Sequence, residues 1–237
     1  TGRCQQRFGH EVNPGPSLER DPVFGLPVTE STLADRLRAR GYATGWVGKS
    51  HLGGTAAYHP LQRGFDSFFG FIEGHHDYVL PGLPTNQVDP ILSNTVVVAE
   101  TNYLTDAFAR DAVSYIQQHA NQPFFLYLPF NAVHFPLEAP TQYLARLTNS
   151  YPDPNRRTNA AMLLALDDAV GQILTNLQTL GLTTNTLLCF TSDNGAPDPA
   201  GIDVNGSVNH PLRGYKEDVY EGGIRVPFLM QWPGRLP

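Results

Sequence analysis

Segments with helical periodicity alternate along this chain with short apolar runs, and this alternation constrains the fold most. Apolar residues recur at helical spacing over residues 101–120 and 157–180, whereas 124–128 and 186–191 are short and largely apolar. Continuous apolar strands are typical of a parallel sheet covered on both faces, and alternating helices and strands favour the α/β class. We therefore predict one doubly wound α/β domain over residues 1–237, with a mostly parallel sheet and helices on both faces.

The flanking segments complete this prediction. A short helix is expected after Ser31 or Thr29, either of which can cap it, and Gly41 ends it. Residues 42–47 follow as a strand, and VPFLMQW at 226–232 forms the last strand. Residues 52–100 are expected to be mostly loop, and the aromatic and histidine-rich stretch 65–84 is expected to help form the mouth of a substrate site.

Charge and composition exclude several classes of partner. The formal net charge is −6, which argues against a general nucleic-acid-binding protein but leaves a local basic pocket for a small anion possible. No uninterrupted run of eighteen apolar residues occurs, so no membrane segment is predicted. Two cysteines, Cys4 and Cys189, leave a single disulfide open, and nothing in the sequence defines the oligomeric state.

Ionisable and metal-binding side chains follow each predicted strand or precede the last one. In open parallel sheets, ligands bind outside the carboxyl ends of the strands. Because these side chains follow separate strands, we expect them to converge in one pocket at that edge of the sheet. The expected pocket residues are Lys49, His51, His134, Asp193, Asn194 and Lys216.

This set of side chains suits an anionic ester. Two lysines and two histidines can neutralise a tetrahedral oxyanion and transfer protons. Asp193 and Asn194 offer a carboxylate and an amide oxygen, which are ligands that Ca²⁺ or Mg²⁺ prefers. Cysteine and histidine sets with zinc spacing are absent from the sequence.

Each signal also has a plainer interpretation. Asp193-Asn194-Gly195 alone is more often a tight turn than a metal site. Lys49 lacks the glycine spacing of a phosphate-binding loop and could be a solvated residue, and His134 could be a hydrogen-bonded loop histidine. The sequence His75-His76-Asp77 looks like a metal cluster but follows no predicted strand.

Four ordered motifs nevertheless match those of one enzyme family. GYATGWVGKSHLGG is similar to the family's GYxTxxxGKWHLG signature, and HFPLEAP is similar to its HxPxxxP stretch. TSDNGA resembles its metal-binding strand end, and LRGYKEDVYEGGIRVPFLMQWPGR resembles its GxKxxxxEGGxRVPxxxxWPG block. GFDSFFGF and the opening TGR also match. Over essentially its whole length, the chain therefore resembles the type I sulfatase family.

The resemblance implies an alkaline-phosphatase-like α/β fold and a sulfuric ester hydrolase that uses Ca²⁺ and a formylglycine nucleophile. It implies that Asp193 and Asn194 are calcium ligands and that Lys49 and Lys216 contact sulfate oxygens. His51 would orient the hydrated aldehyde and accept a proton. His134 would contact the sulfate or protonate the leaving alcohol. By analogy with the family, the substrate would be a sulfate ester, such as that of a sulfated carbohydrate, and the protein would be secreted or periplasmic.

Two departures from the family pattern qualify these expectations. Ser50 stands where the family usually has Trp between the lysine and the histidine. The C-x-P-S-R motif that carries the formylglycine is absent, and neither Cys4 nor Cys189 lies in such a motif. We therefore expect the nucleophile upstream of Thr1 and a C-terminal subdomain beyond Pro237, and we expect residues 1–237 alone to be inactive.

Two other functions remain open on the sequence alone. The first is a phosphatase or phosphonate hydrolase of the same superfamily. The second is a non-catalytic protein of the same fold that binds sulfated ligands.

Overall fold

The computed structural model describes residues 1–12, 15, 18, 21–79, 90–147, 151–201 and 204–236. These residues form two compact units, Thr1–Asn131 and Ala132–Pro237. The expectation of one domain over residues 1–237 stays a prediction.

The first unit is built on a mixed five-stranded sheet with the strand order β4-β3-β2-β1-β5. Strand β1 pairs in parallel with both β2 and β5, whereas β3 pairs antiparallel with β2 and with β4. The elements of this unit are α1 Leu33–Arg38, β1 Ala43–Lys49, β2 Ser67–Phe71, β3 Leu92–Ser93, β4 Val96–Val97, α2 Leu104–Gln118 and β5 Phe124–Tyr127.

Helices cover both faces of this sheet. On one face, Trp46 of β1 and Phe68 of β2 form a core cluster with Ala34 of helix α1. On the other face, Phe69 of β2 meets Phe108 of helix α2 with ring centroids 6.1 Å apart. Successive strand residues point to opposite faces, so an apolar strand supplies both layers. The predicted α/β class with helices on both sides of the sheet is confirmed.

The cap of helix α1 differs from the sequence prediction. Thr32 is the N-cap: its hydroxyl accepts a hydrogen bond from the Asp35 backbone N–H, and the Asp35 carboxylate accepts one from the Thr32 backbone N–H. Ser31 and Thr29, which the sequence suggested as caps, precede this position. The reciprocal pair satisfies two backbone donors at the helix start, which neither alternative could do without an acidic residue three positions on.

Strand β2 and the short hairpin of β3 and β4 lie in the region predicted to be mostly loop. Gly70 interrupts the apolar run of β2, and a built Cβ at Gly70 would lie 2.0 Å from the carbonyl oxygen of Gly48 on β1. The side chain of Asn94 in the hairpin turn accepts a hydrogen bond from the Phe68 backbone N–H. Strand pairing therefore shapes this region more than its own residue pattern does.

Most of the described aromatic residues of the 65–84 stretch are buried. Phe65, Phe68, Phe71 and Tyr78 lie in the interior of the first unit, and Phe69 is half-buried. The expectation that this stretch helps form the mouth of a substrate site stays a prediction. Residues 80–84 lie outside the described residues.

In its described residues, the second unit contains two strands, one long helix and two short helices. Its elements are α3 Thr141–Arg146, α4 Pro154–Thr179, β6 Leu188–Thr191, α5 Glu221–Ile224 and β7 Phe228–Gln231. The Asp153 side chain caps α4 by accepting the Asn155 backbone N–H, and Pro154 occupies the first helical position.

Strands β6 and β7 form a two-stranded antiparallel sheet. The sequence predicts both strands but favours parallel pairing. The long connection between them can return the chain in either direction, so their apolar pattern does not determine their orientation.

Helix α4 is long and apolar enough to cross a membrane, judged by its length and composition alone. The core helix of a soluble protein meets the same criterion, and this finding is weak support for a membrane span. Asp167 and Asp168 lie within this helix.

Candidate active site

The segment Lys49–His51 is held by backbone hydrogen bonds to the ends of two neighbouring strands. The Lys49 N–H donates to the carbonyl of Pro129, just after β5, at 2.9 Å. The Ser50 N–H donates to Phe71 at 3.0 Å, and the His51 N–H donates to Ile72 at 2.8 Å, at the end of β2. Both lysine and histidine therefore lie at the carboxyl edge of the parallel strands, where the sequence predicted them.

The backbone in this segment adopts uncommon conformations. Gly48 has φ +130°, and a built Cβ would lie 2.1 Å from the Pro129 carbonyl oxygen. His51 has φ 57°, a region that residues with side chains seldom occupy. Such backbone conformations persist only where the surrounding structure fixes them, and they concentrate at functional sites. Here the hydrogen bonds to the ends of β2 and β5 supply that constraint.

Ser50 replaces the family's usual Trp and is buried between these two residues. It is 8% exposed, and its hydroxyl has no hydrogen-bond partner among the described residues. A serine fills less space than an indole ring, so this position contributes little packing to the segment.

His134 lies in the second unit, on the segment that follows Asn131. The Nδ1 atom of His134 is 3.0 Å from the carbonyl oxygen of Phe135, and the Asn205 side chain donates to the Val133 carbonyl at 3.1 Å. A carbonyl accepts only from a protonated nitrogen, so this contact places the proton of a neutral imidazole on Nδ1. The Nε2 atom is then the one able to accept a proton.

Asp193, Asn194 and Gly195 form a close turn after β6. The Asp193 carboxylate is exposed and accepts the Asn194 backbone N–H at 2.9 Å, and the Asn194 side-chain amide donates to the Gly195 carbonyl at 2.8 Å. A Cβ at Gly195 would lie 1.7 Å from the Gly222 carbonyl oxygen, so only glycine allows α5 to approach this turn.

The side chain of Asn209 joins this turn to the segment that carries Lys216. Its Oδ1 accepts the Ala196 N–H at 2.7 Å, and its Nδ2 donates to the carbonyls of Ala196 and Gly214 at 3.0 Å each. The Lys216 backbone N–H also donates to the Ala196 carbonyl, at 2.9 Å. Within the second unit, the structure thus links the segments carrying Asp193, Asn194 and Lys216 by hydrogen bonds.

The six predicted residues are divided between the two units. Lys49 and His51 belong to the first unit, and His134, Asp193, Asn194 and Lys216 belong to the second. Their convergence in one pocket stays a prediction.

The chemistry of Asp193 and Asn194 fits part of a calcium site. The Asn194 amide nitrogen donates to the Gly195 carbonyl, which leaves the amide oxygen and the Asp193 carboxylate as two hard donors on adjacent residues. Calcium takes six to eight oxygen ligands, so further donors are required. Among the described residues, no group of three or more His, Cys, Asp and Glu side chains could hold a metal.

His76 is a core residue, and the two cysteines are not bonded to each other. His76 is 5% exposed, its Nδ1 is 2.7 Å from the Asp77 carbonyl oxygen, and its ring lies 5.1 Å from that of Phe71. These contacts place His76 in the core of the first unit. Cys4 and Cys189 are exposed free thiols, so the disulfide that the sequence left open is not formed.

Sequence reasoning missed the contribution of Asn209. The residue lies in a polar loop with no periodic pattern and no motif of its own. Its three hydrogen bonds reach segments on both sides of it along the chain, and only the folded structure shows them.

Known proteins match this chain across its length. The sequence model of the sulfatase family matches residues 1–237. N-acetylgalactosamine-6-sulfatase of Mus musculus is 37% identical over 229 residues, covering 90% of this chain and 42% of that protein. The uncharacterized sulfatase YdeN of Escherichia coli is 33% identical over 265 residues, covering 100% of this chain and 44% of that protein.

A solved structure agrees with these matches. The structure described as Ps i-CgsB in complex with k-i-k-neocarrahexaose is 35% identical, with a TM-score of 0.85, and the match covers 93% of this chain and 51% of that one. The chain therefore spans less than half the length of the curated relatives and about half of this structure. From its motifs, its architecture and these matches, the chain belongs to the sulfatase family, within the alkaline phosphatase superfamily.

Proposed function

We propose that the whole protein hydrolyses sulfate esters. The observation that carries this proposal is that backbone hydrogen bonds hold Lys49 and His51 at the carboxyl edge of the parallel strands. The link between the Asp193 turn and the Lys216 segment supports it in the second unit. Membership of the sulfatase family supports a sulfate ester as the anionic ester that is cleaved.

Each residue has a defined role in this proposal. The ammonium groups of Lys49 and Lys216 bind sulfate oxygens and stabilise the negative charge that grows as the S–O bond breaks. His51 accepts a proton at the nucleophile, and His134 contacts the sulfate or protonates the leaving alcohol through Nε2.

Asp193 and Asn194 would supply two oxygen ligands to Ca²⁺. When bound, the ion would polarise a sulfate oxygen and favour attack at sulfur. The formylglycine that the family resemblance implies would be supplied by a C-x-P-S-R segment, which the 237 residues do not contain.

The substrate class that we propose is a sulfated carbohydrate. A relative is named N-acetylgalactosamine-6-sulfatase, and a similar structure was solved with neocarrahexaose. A secreted or periplasmic location, which we also propose, would bring the enzyme to such substrates.

Aryl sulfate hydrolysis by the whole protein tests the reaction. With p-nitrophenyl sulfate, Lys49→Ala should lower kcat/KM by about a hundredfold or more, because the lysine stabilises charge that is greatest in the transition state. Turnover of p-nitrophenyl phosphate in preference to the sulfate would identify a phosphatase. Binding of the sulfate without turnover would identify a non-catalytic protein.

Metal content tests the assignment of Asp193. In the whole protein, Asp193→Ala should remove both bound calcium and sulfatase activity, because it deletes a carboxylate ligand. His76→Ala is the matched control and should retain the calcium, since His76 packs in the core of the first unit. Calcium content is measured by elemental analysis. Equal loss of calcium in the two variants would mean that the metal site is not in the Asp193 loop.

A further inference from the structure

A cleft of about 530 Å³ in the second unit lies beside the Asp193 and Lys216 segments. This volume falls within the range of small-molecule binding sites. Its lining includes Asn209, His210, Arg213, Tyr215, Asp218 and Tyr220.

The cleft is continuous with the candidate active site along the chain and through hydrogen bonds. Asn209, which lines it, holds the Ala196 backbone just after Asn194. Tyr215, which also lines it, directly precedes Lys216. A ligand held by Lys216 would therefore have its neighbouring groups close to this cleft.

Arg213 places a guanidinium in the cleft, and the Asp218 carboxylate also lies in its lining. Its guanidinium carbon lies 3.8 Å from the centroid of the Tyr220 ring, and its Nη2 donates to the Tyr220 hydroxyl at 2.8 Å. Among the described residues, Arg213 forms no ion pair. The carboxylate of Asp218, also in the cleft, accepts the backbone N–H of Tyr215 at 2.9 Å.

Tyr215 gives the cleft an aromatic surface for a sugar ring. It is 38% exposed and lines the cleft, as does Tyr220, one face of which the Arg213 guanidinium covers. Tyrosine combines an apolar face with a polar hydroxyl, and arginine presents a planar set of donors that matches oxyanions. An aromatic face beside a guanidinium that forms no ion pair among the described residues fits a sugar that carries an anionic group.

We propose that this cleft binds a second sulfated sugar residue, next to the one whose ester is cleaved. The inference rests on the proposed function, because it extends the same substrate beyond the reacting sulfate. It makes the preferred substrate a sulfated oligosaccharide with more than one sulfate. Arg213 then determines substrate preference without taking part in the reaction.

Calorimetric titration of the whole protein with a sulfated carrageenan hexasaccharide tests this inference. Arg213→Met should weaken binding by about tenfold, the effect of losing a charge-assisted contact. Binding of the desulfated hexasaccharide should change by less than about twofold, as should kcat/KM for p-nitrophenyl sulfate. Equal weakening with the sulfated and desulfated sugars, or no weakening with either, would overturn the proposal.

Matched variants separate a local contact from general charge and from folding. Arg235→Met removes an exposed arginine elsewhere in the second unit and should leave the hexasaccharide affinity unchanged. An effect equal to that of Arg213→Met would mean non-specific attraction and would contradict the proposal. If Arg213→Met does not fold, His210→Glu places a negative charge in the cleft and should weaken only the sulfated ligand. Unchanged affinity in His210→Glu would also contradict it.

The binding measurement does not depend on turnover. If the wild-type protein fails to hydrolyse p-nitrophenyl sulfate, the proposed function fails. The hexasaccharide affinities of wild type and Arg213→Met still decide whether the cleft binds sulfated sugar.

Discussion

Single backbone positions control the geometry around the candidate catalytic residues. Gly48 lets β1 approach the Pro129 carbonyl closely enough for Lys49 to donate its hydrogen bond there. Gly195 allows the same close approach between the Asp193 turn and α5. A side chain at either position would separate backbone segments that the hydrogen bonds now join. The backbone positions of the candidate catalytic side chains beside these glycines therefore require glycine.

Replacing two glycines by alanine should change stability in opposite directions. Gly48→Ala should lower the free energy of unfolding by more than about 2 kcal/mol, because a Cβ would clash with the Pro129 carbonyl and φ is positive. Gly171→Ala, the control on helix α4, should raise it by about 0.5–1 kcal/mol, because nothing lies within 4 Å and alanine favours helix. Denaturant titration measures both, and a neutral Gly48→Ala would show that the strands can separate at no cost.

The entry into helix α2 depends on a buried carboxylate. Burial alone would raise the pKa of Glu100, but hydrogen bonds from Arg110 and Asn102 outweigh that effect and lower it. The Glu100 carboxylate accepts the Asn102 backbone N–H at 2.9 Å and lies 2.8 Å from the Arg110 guanidinium. Tyr103 at the N-cap makes no side-chain capping bond, so Glu100 organises the chain before the helix.

The stabilisation from Glu100 should depend on pH. Its pKa is lower in the folded state than the ordinary value of 4.5, so the stabilisation is fully present above about pH 4.5 and is lost as pH falls through the folded pKa. In urea titrations, stability should therefore fall less steeply below pH 4.5 in Glu100→Gln than in the wild type. Parallel pH profiles for the two proteins would contradict this assignment.

Arg110→Met tests the same ion pair by removing the guanidinium instead of the carboxylate. It should cost about 1–2 kcal/mol near neutral pH, a modest value because half of the Arg110 side chain is exposed. The difference from wild type should shrink as Glu100 and Asp111, the two carboxylates that the guanidinium contacts, become protonated. A difference that is constant between pH 7 and pH 3 would mean that Arg110 contributes packing alone.

Across the whole chain, binding groups are present but a nucleophile motif is not. Lys49, His51, His134, Asp193, Asn194 and Lys216 can bind an anion and transfer protons. The charge that the lysines would stabilise develops only when a nucleophile attacks the sulfur and the S–O bond breaks. Covalent catalysis requires an activated nucleophile, and the 237 residues contain no C-x-P-S-R segment.

Residues 1–237 alone should therefore show no sulfatase turnover when Ca²⁺ is supplied. A version with a C-x-P-S-R segment ahead of Thr1, co-expressed with a formylglycine-generating enzyme, should hydrolyse p-nitrophenyl sulfate. The same version with the motif cysteine replaced by alanine is the control and should be inactive. Comparable calcium-dependent turnover by residues 1–237 would mean that the nucleophile lies within them.

Local pattern was sufficient for most of the long elements and for the choice of candidate residues. The apolar periodicity predicted α2 and α4, and the short apolar runs predicted β1, β5, β6 and β7, because burial of one face or both leaves a direct signature in residue order. The motifs identified the sulfatase family, because they keep charged residues at a fixed spacing that can be recognised in the sequence.

The pairing of the strands and the contacts between distant segments required the folded structure. The sequence did not predict strand β2, which the structure shows paired with β1. It also favoured the wrong orientation for β6 and β7, which are antiparallel. Backbone hydrogen bonds between strands leave no residue pattern that would reveal the pairing. Asn209 connects the Asp193 turn with the Lys216 segment through bonds to backbone atoms. Side-chain identity thus specified which groups can bind an anion. Hydrogen bonds between segments far apart in the chain determined where the backbone holds them.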